Sequence, residues 1–325
     1  MNKNKIKVLL EKNKKIYCFL RYIYVGVSNP SRLEKEKSYG EKNKDKRILL
    51  IRPNTEDGIQ GLMSLFIQTM RWVDYAKQNE MIPFIDFKNY KTQYADGTNS
   101  WEYFFTQPSN LTLEEVYDSK NVTISGTTLK PLVNENLFRG NIFFDKDLCK
   151  NCYDIIWNNI RLSAAVEKIV AKEDDRIGIA NCIGAYLRGT DYIKLKPAGE
   201  YVQPEVEEFI EKLDAFVKKY PAANIFLVTE DYSYYQKIKT AYKEKVKIVS
   251  FDSFVVNYDG KDYLSKTGLL NKNPRKRGMD YLAKIVLLSR CKYLVSSITM
   301  GSIAAYSMNG GKYEDEIIFD KGVYQ

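Results

Sequence analysis

The sequence contains no histidine in 325 residues. That removes the Ser-His-Asp triad, the HExxH zinc site and every imidazole acid or base. Proton transfer must then fall to Asp, Glu, Tyr, Lys or a group on the substrate. Cysteine is sparse and odd in number: Cys18, Cys149, Cys152, Cys182 and Cys291. Cys149 and Cys152 form a CxxC, yet no second CxxC and no histidine exists to complete a metal shell. The thiols therefore read as ordinary reduced cysteines. There is no GxxxxGK[ST] and no GxGxxG following a strand, which argues against a P-loop enzyme and a typical NAD enzyme. Long apolar runs are absent too. Ile16–Val27 is 12 residues long and contains Arg21, whereas a spanning helix needs about 20 apolar residues. The Ser28-Asn29-Pro30 that follows is a poor signal-peptide cleavage site.

What is present is a surplus of positive charge in one place. Lys and Arg total 50 against 41 Asp and Glu. Residues 1–47 carry 14 basic and five acidic residues, which is the whole excess of nine. The other 36 basic and 36 acidic residues cancel. A nucleic-acid binder would carry its basic patch on the folded body, so the neutral body argues against that class. Read as a helix, Ile6, Leu9, Leu10, Ile16, Tyr17, Leu20, Ile23, Tyr24 and Val27 share one face, with Lys and Arg around much of the rest. That pattern fits an interfacial helix on anionic lipid, made by residues 1–27. The alternative is a helix packed on the domain with a solvated basic face. Residues 30–46 are nearly all polar and read as a tether.

The body alternates strand and helix. Arg47–Pro53 reads as a buried strand, a glycine-containing loop follows, and residues 62–80 carry a helical pattern. Met81–Phe87 is the next strand, Thr112 to Glu115 form a capping box, and Asn121–Ser125 is another strand. Trp157–Val170 reads as one long amphipathic helix bridging two domains. Beyond it come a strand within Ile177–Leu187, a helix at Pro204–Tyr220 and a strand at Asn224–Thr229. The pattern continues with a helix at Tyr232–Lys245, a strand at Val246–Phe251, a helix at Arg277–Arg290 and a strand at Lys292–Ser296. Gly301–Met308 starts the last helix. This rhythm predicts doubly wound sheets in two domains, with residues after Leu187, Val228 and Val295 facing one crevice. The expected division is 1–46 for the basic segment and tether, 47–170 for a first domain and 171–325 for a second.

Three strand ends carry the chemistry. In Tyr186-Leu-Arg188-Gly-Thr-Asp191, an Arg beside a Gly suits a phosphate, since the guanidinium can hold two oxygens and stays charged. A structural Arg188–Asp191 ion pair is the alternative. In Thr229-Glu230-Asp231 the acids can hold sugar hydroxyls or a base edge, although Asp231 is also a good N-cap. In Val295-Ser-Ser297-Ile-Thr299-Met-Gly-Ser302, small hydroxyl residues lead into a helix N-terminus, an anion site unless they simply cap it. Asp145-Lys-Asp147 is a DxD that reads as solvated acids.

Taken in order, these segments resemble the fucosyltransferase-like glycosyltransferases, the superfamily of α-1,2-, α-1,6- and protein O-fucosyltransferases. The family's His-x-Arg-[Arg/Gly]-x-Asp motif stands here as Tyr186-Leu-Arg188-Gly-Thr-Asp191. Its later motifs are similar to Thr229-Glu230-Asp231, to the run from Arg277 through Asp280 to Leu282, and to Ser296-Ser297-Ile-Thr299-Met-Gly301-Ser302. Gly58-Ile-Gln-Gly61-Leu-Met-Ser and Trp101-Glu-Tyr-Phe-Phe resemble its front end. The likeness covers about residues 47–325.

The resemblance implies an α/β fold of the GT-B type, two Rossmann-like domains facing a cleft, here preceded by the basic amphipathic helix. It implies transfer of a sugar, fucose, from a GDP-sugar to a glycan or lipid-linked glycan acceptor by an inverting mechanism needing no metal and no other cofactor. Arg188 would hold the diphosphate, assisted by Ser297, Thr299 and Ser302. Glu230, Asp231 and Asp280 would sit near the guanosine or position the Arg. Tyr186 replaces the usual His. Asp57 and Glu56, in the first loop, are the candidates by position for taking the acceptor proton. The expected setting is cell-surface polysaccharide synthesis in the cytoplasm, peripheral on the inner membrane face. The rivals are a GT-B enzyme using another nucleotide sugar and a non-catalytic membrane-tethered glycan binder.

Overall fold

The computed structural model describes residues 14–55, 58–127, 136–250, 252, 254–267 and 273–325. Two sheets organise them. The first contains β1 (Lys35–Lys37), β2 (Ile48–Ile51), β3 (Ile82–Ile85) and β4 (Val122–Ile124) in the order β1-β4-β2-β3. The pairs β2–β3 and β2–β4 are parallel, and β1 runs antiparallel to β4. The second contains β5 (Cys182–Tyr186), β6 (Asn224–Val228), β7 (Val246–Lys247), β8 (Tyr293–Ser297) and β9 (Asp315–Phe319) in the order β7-β6-β5-β8-β9, parallel throughout. Every residue of β2, β5 and β8 is buried. That is why these strands read as unbroken apolar or small runs rather than as alternating ones.

The second sheet places its first strand centrally, with the next two on one side and the last two on the other. The chain therefore reverses direction across the sheet between β5 and β8, and a crevice forms outside the carboxyl ends of strands at such a switch point. One apolar core continues from the first sheet to the second, running from Leu49 and Phe66 through Phe104 and Ile156 to Leu287 and Ile303. The expected division at residue 170 falls inside the Ala164–Ile177 helix.

Three expectations are corrected. Residues 30–46 are not a tether. They form a 3-10 turn at Pro30–Arg32 and then β1, where Glu36 accepts a 2.8 Å hydrogen bond from the Thr123 hydroxyl. All three β1 side chains stay exposed, so a fully polar sequence pairs without burying an apolar side chain. Trp157–Val170 is not one helix. The Lys146–Asn159 helix stops, and Ser163 caps a new one by accepting from the Val166 N–H. Between them Leu162 bridges Phe105, and the Arg161 N–H donates to Thr106 at 2.9 Å. Leu269–Gly278, rich in Asn and basic residues, reads in the sequence as a loop, yet residues 274–278 are the first turn of the Pro274–Arg290 helix, capped by Asn273.

Lys14–Ser28 forms the most N-terminal described helix. The Ile6, Leu9 and Leu10 part of the expected face lies outside the described residues. No described helix is long and apolar enough to cross a membrane.

Candidate active site

A cleft of about 440 Å³ opens where the switch point of the second sheet meets the first half of the chain. One wall is Ile59–Ser64 with Gln93 and Tyr94, and the other carries the ends of β5, β6 and β8 with the flank of the Pro274–Arg290 helix. Gln93 and Tyr94 tie the first wall to the second, Tyr94 through the Arg277 guanidinium 5.6 Å over its ring. Gln93 donates from Nε2 to the carbonyls of Ile59 and Gln60, both at 2.9 Å, and its Oε1 accepts from Arg277 at 2.9 Å.

Arg188 follows β5 and lies in the cleft. Its Nη2 donates to Asp191 at 3.1 Å, and its Nε lies 3.1 Å from Glu230 Oε1. The second contact is an ion pair without hydrogen-bond alignment, so the buried Nε–H has no acceptor. A buried donor left so costs about 1–3 kcal/mol. The guanidinium also stacks 4.3 Å over the Tyr192 ring. Three charged and aromatic groups thus fix one cation in the cleft wall.

The segment that aims Arg188 is strained. Thr190 sits at φ 50, a left-handed conformation rare for a β-branched residue. Its N–H donates to Asp231 at 3.1 Å and its hydroxyl to Glu230 at 3.0 Å. Asp231 also caps the Tyr232–Tyr242 helix through the N–H groups of Ser233 and Tyr234. A Cβ at Gly189 would press into the Asp231 side chain, so only glycine lets the turn approach this closely. Asp191 anchors the far end, accepting the Leu264 N–H at 3.1 Å.

At the end of β8, Thr299 and Ser302 form a reciprocal cap on the Met300–Asn309 helix. Ser302 also donates to the Ser297 carbonyl at 2.7 Å. Thr299 and Gly301 line the cleft, whereas Ser297, Ser302 and Asp231 stand behind its wall. The Ser297 hydroxyl is buried without a partner among the described residues. Tyr186 is buried at the end of β5 and accepts a 3.1 Å hydrogen bond from the Thr299 hydroxyl. Burial raises its pKa, so it stays a neutral phenol at neutral pH. A Cβ on Gly301 would collide with the hydroxyls of Tyr186 and Tyr281.

Of the expected site residues, Tyr186, Arg188, Asp191, Glu230, Asp280 and Thr299 come together on the cleft wall. Glu230 is held protonated to higher pH by burial, with the Arg188 charge working against that. Asp280 pairs with Lys276 at 2.8 Å. Glu56 and Asp57 lie outside the described residues. Asp145 caps the Lys146–Asn159 helix by accepting from the Leu148 N–H, far in sequence from the cleft residues.

Two cleft residues carry no sequence signal. Glu200 follows an irregular stretch, fixed by its carbonyl accepting the Tyr324 N–H and its N–H donating to Pro197. Glu200 lines the cleft, and its carboxylate has no hydrogen-bond or ion-pair partner among the described residues. Lys284 is 6 % exposed, deep in the cleft. Burial lowers its pKa from 10.5 to about 8, partly offset by the charges of Asp280 and Glu230. Both residues sit where local pattern says nothing, Glu200 in a loop and Lys284 at a position the helix periodicity assigns to core.

No family model matches the chain, and no curated protein does. Among solved structures it is similar to the fucosyltransferase NodZ from Bradyrhizobium, at 13% identity and a TM-score of 0.46, covering 80% of this chain and 92% of that one. It is similar to a FUT1 mutant of Arabidopsis thaliana in complex with GDP, at 10% identity and 0.46, covering 81% and 68%. POFUT1 in complex with GDP-fucose matches at 11% identity and 0.36, covering 85% and 74%.

Proposed function

We propose that the chain is an inverting glycosyltransferase that moves fucose from GDP-fucose to a glycan hydroxyl, without a metal, in the synthesis of a cell-surface polysaccharide. The observation that carries this reading is Arg188. It is a cation lining the cleft at the switch point of a parallel sheet, held by Asp191, Glu230 and Tyr192 with its side chain 22% exposed. That is the group a departing diphosphate needs, because charge develops on the leaving oxygen as the glycosidic bond breaks. The guanosine and fucose assignments rest on the ordered motifs that resemble the fucosyltransferase superfamily.

The chemistry divides among this chain's own residues. The acceptor oxygen attacks the anomeric carbon from the face opposite the diphosphate. The bond from that carbon to the diphosphate oxygen breaks, its electron pair stays on the diphosphate, and configuration inverts. Arg188 offsets the new charge, with Asp191, Glu230 and Tyr192 keeping it in place. The acceptor proton passes to the Glu200 carboxylate, the lining acid without a partner among the described residues. Asp191, Glu230, Asp280 and Asp252 already carry cations.

The experiment is a thermal-shift series with GDP, UDP and CMP, followed by incubation with GDP-fucose and other GDP-sugars while GDP release is measured. GDP at 100 times its dissociation constant should stabilise the fold by about 2.7 kcal/mol. Stabilisation by UDP alone would replace the donor, and stabilisation by none would end the transferase reading.

A further inference from the structure

The Lys14–Ser28 helix holds two unlike faces. Its inner face is fastened to the body. Val25 is buried, the Tyr22 hydroxyl donates to Glu34 at 2.8 Å, and Gly26 packs against Leu33. Its outer face is apolar and open. Ile16, Phe19, Leu20, Ile23 and Val27 are each between 43% and 83% exposed. Their spacing of i, i+3, i+4, i+7 and i+11 gathers them within a stripe about 100° wide. Tyr24, 71% exposed, stands at its margin. Burying Val27 or Phe19 in the protein would have been the ordinary outcome for such residues, and here the fold turns them outward together.

Charge supplies the second observation. The stripe belongs to the 47-residue segment that holds the protein's whole positive excess, and the remaining residues are neutral in sum. An apolar stripe alone would suit any greasy partner. A stripe set in a basic segment suits a surface that is apolar beneath and negative on top, with a tyrosine at the boundary between them.

We propose that the Lys14–Ser28 helix docks the protein on an anionic lipid surface, with Ile16, Phe19, Leu20, Ile23 and Val27 entering the acyl boundary. The helix lies in the plane of the interface and does not cross it. Because the inner face is bonded to the body, docking sets the orientation of the whole molecule relative to the lipid. The proposal does not depend on which sugar donor the cleft takes.

The full chain is tested by flotation with vesicles of phosphatidylcholine alone and of phosphatidylcholine mixed with phosphatidylglycerol. The wild type should bind the anionic vesicles at least about tenfold more tightly, and added salt should weaken it. Phe19→Glu with Ile23→Glu should abolish binding and leave the melting temperature unchanged, since both side chains are exposed. Replacing Lys3, Lys5, Lys7, Lys12, Lys14 and Lys15 by Gln should remove the preference for anionic lipid. Equal binding by the double variant, equal binding to neutral vesicles, or no binding by the wild type would overturn the proposal. So would a wild-type dimer in ultracentrifugation that the double variant dissolves, which would make a second copy the occupant of the stripe.

Discussion

Compare the two walls of the cleft. Among the described residues, every charged side chain that faces it lies beyond residue 180: Arg188, Asp191, Glu200, Glu230, Asp252, Arg277, Asp280 and Lys284. The first half supplies amides, a hydroxyl, a phenol and apolar groups, from Gln60, Ser64, Gln93, Tyr94 and Leu62. The same contrast appears in the sheets. The second is parallel throughout, with a switch point that gathers strand ends, whereas the first has four strands and an antiparallel edge. The difference teaches that electrostatics and closure are separate tasks here. In the proposed reaction, one wall meets the charged donor and the other shapes and covers it.

That division can be broken most severely at Arg188. Arg188→Ala should lower kcat/KM for the donor about a thousandfold and remove stabilisation by GDP. An unchanged thermal shift would take Arg188 out of the site. Next in size is Glu200→Gln, which removes a proton acceptor without changing shape. It should lower kcat about a hundredfold while leaving the donor dissociation constant as it was. A loss of GDP affinity instead would move Glu200 from proton transfer to donor binding.

Lys284 tests whether the charged wall costs stability. Its ammonium is disfavoured by burial, and its pKa falls from 10.5 to about 8. Between those values the unfolded chain binds more protons than the folded one, so unfolding free energy rises with pH across that window. Below about pH 8 the cost is fully present. Lys284→Met should therefore raise stability at pH 7 by on the order of 2 kcal/mol and flatten the slope between pH 8 and 10.5. Chemical denaturation at several pH values measures both, and a destabilised variant would contradict the assignment. The smallest effect belongs to the neutral wall. Gln93→Ala should weaken donor binding about tenfold, as the bridge from Ile59 and Gln60 to Arg277 is lost. An effect as large as that of Arg188→Ala would erase the contrast between the walls.

Much of the charged wall was legible in the sequence. Arg188, Asp191, Glu230 and Thr299 stand at the ends of apolar runs, and a parallel sheet brings such ends to one edge. What was not legible depends on partners distant in the chain. The β1 strand has no apolar residue, and only its pairing with β4 makes it a strand. Leu162 continues a helical period, yet its bridge to Phe105 ends the helix before it. Glu200 reaches the cleft because the segment around Tyr324 holds its backbone there. A local window contains none of these partners.

Thr190 has a further consequence. Holding a threonine at φ 50 costs about 1–3 kcal/mol, and Thr190→Gly would relieve that strain while deleting the hydroxyl that meets Glu230. The position is thus one where a population selected only for thermal endurance would drift away from threonine. Laboratory selection for heat resistance, applied without an activity screen, should find this site early, and the enzymes it returns should be sturdier and slower.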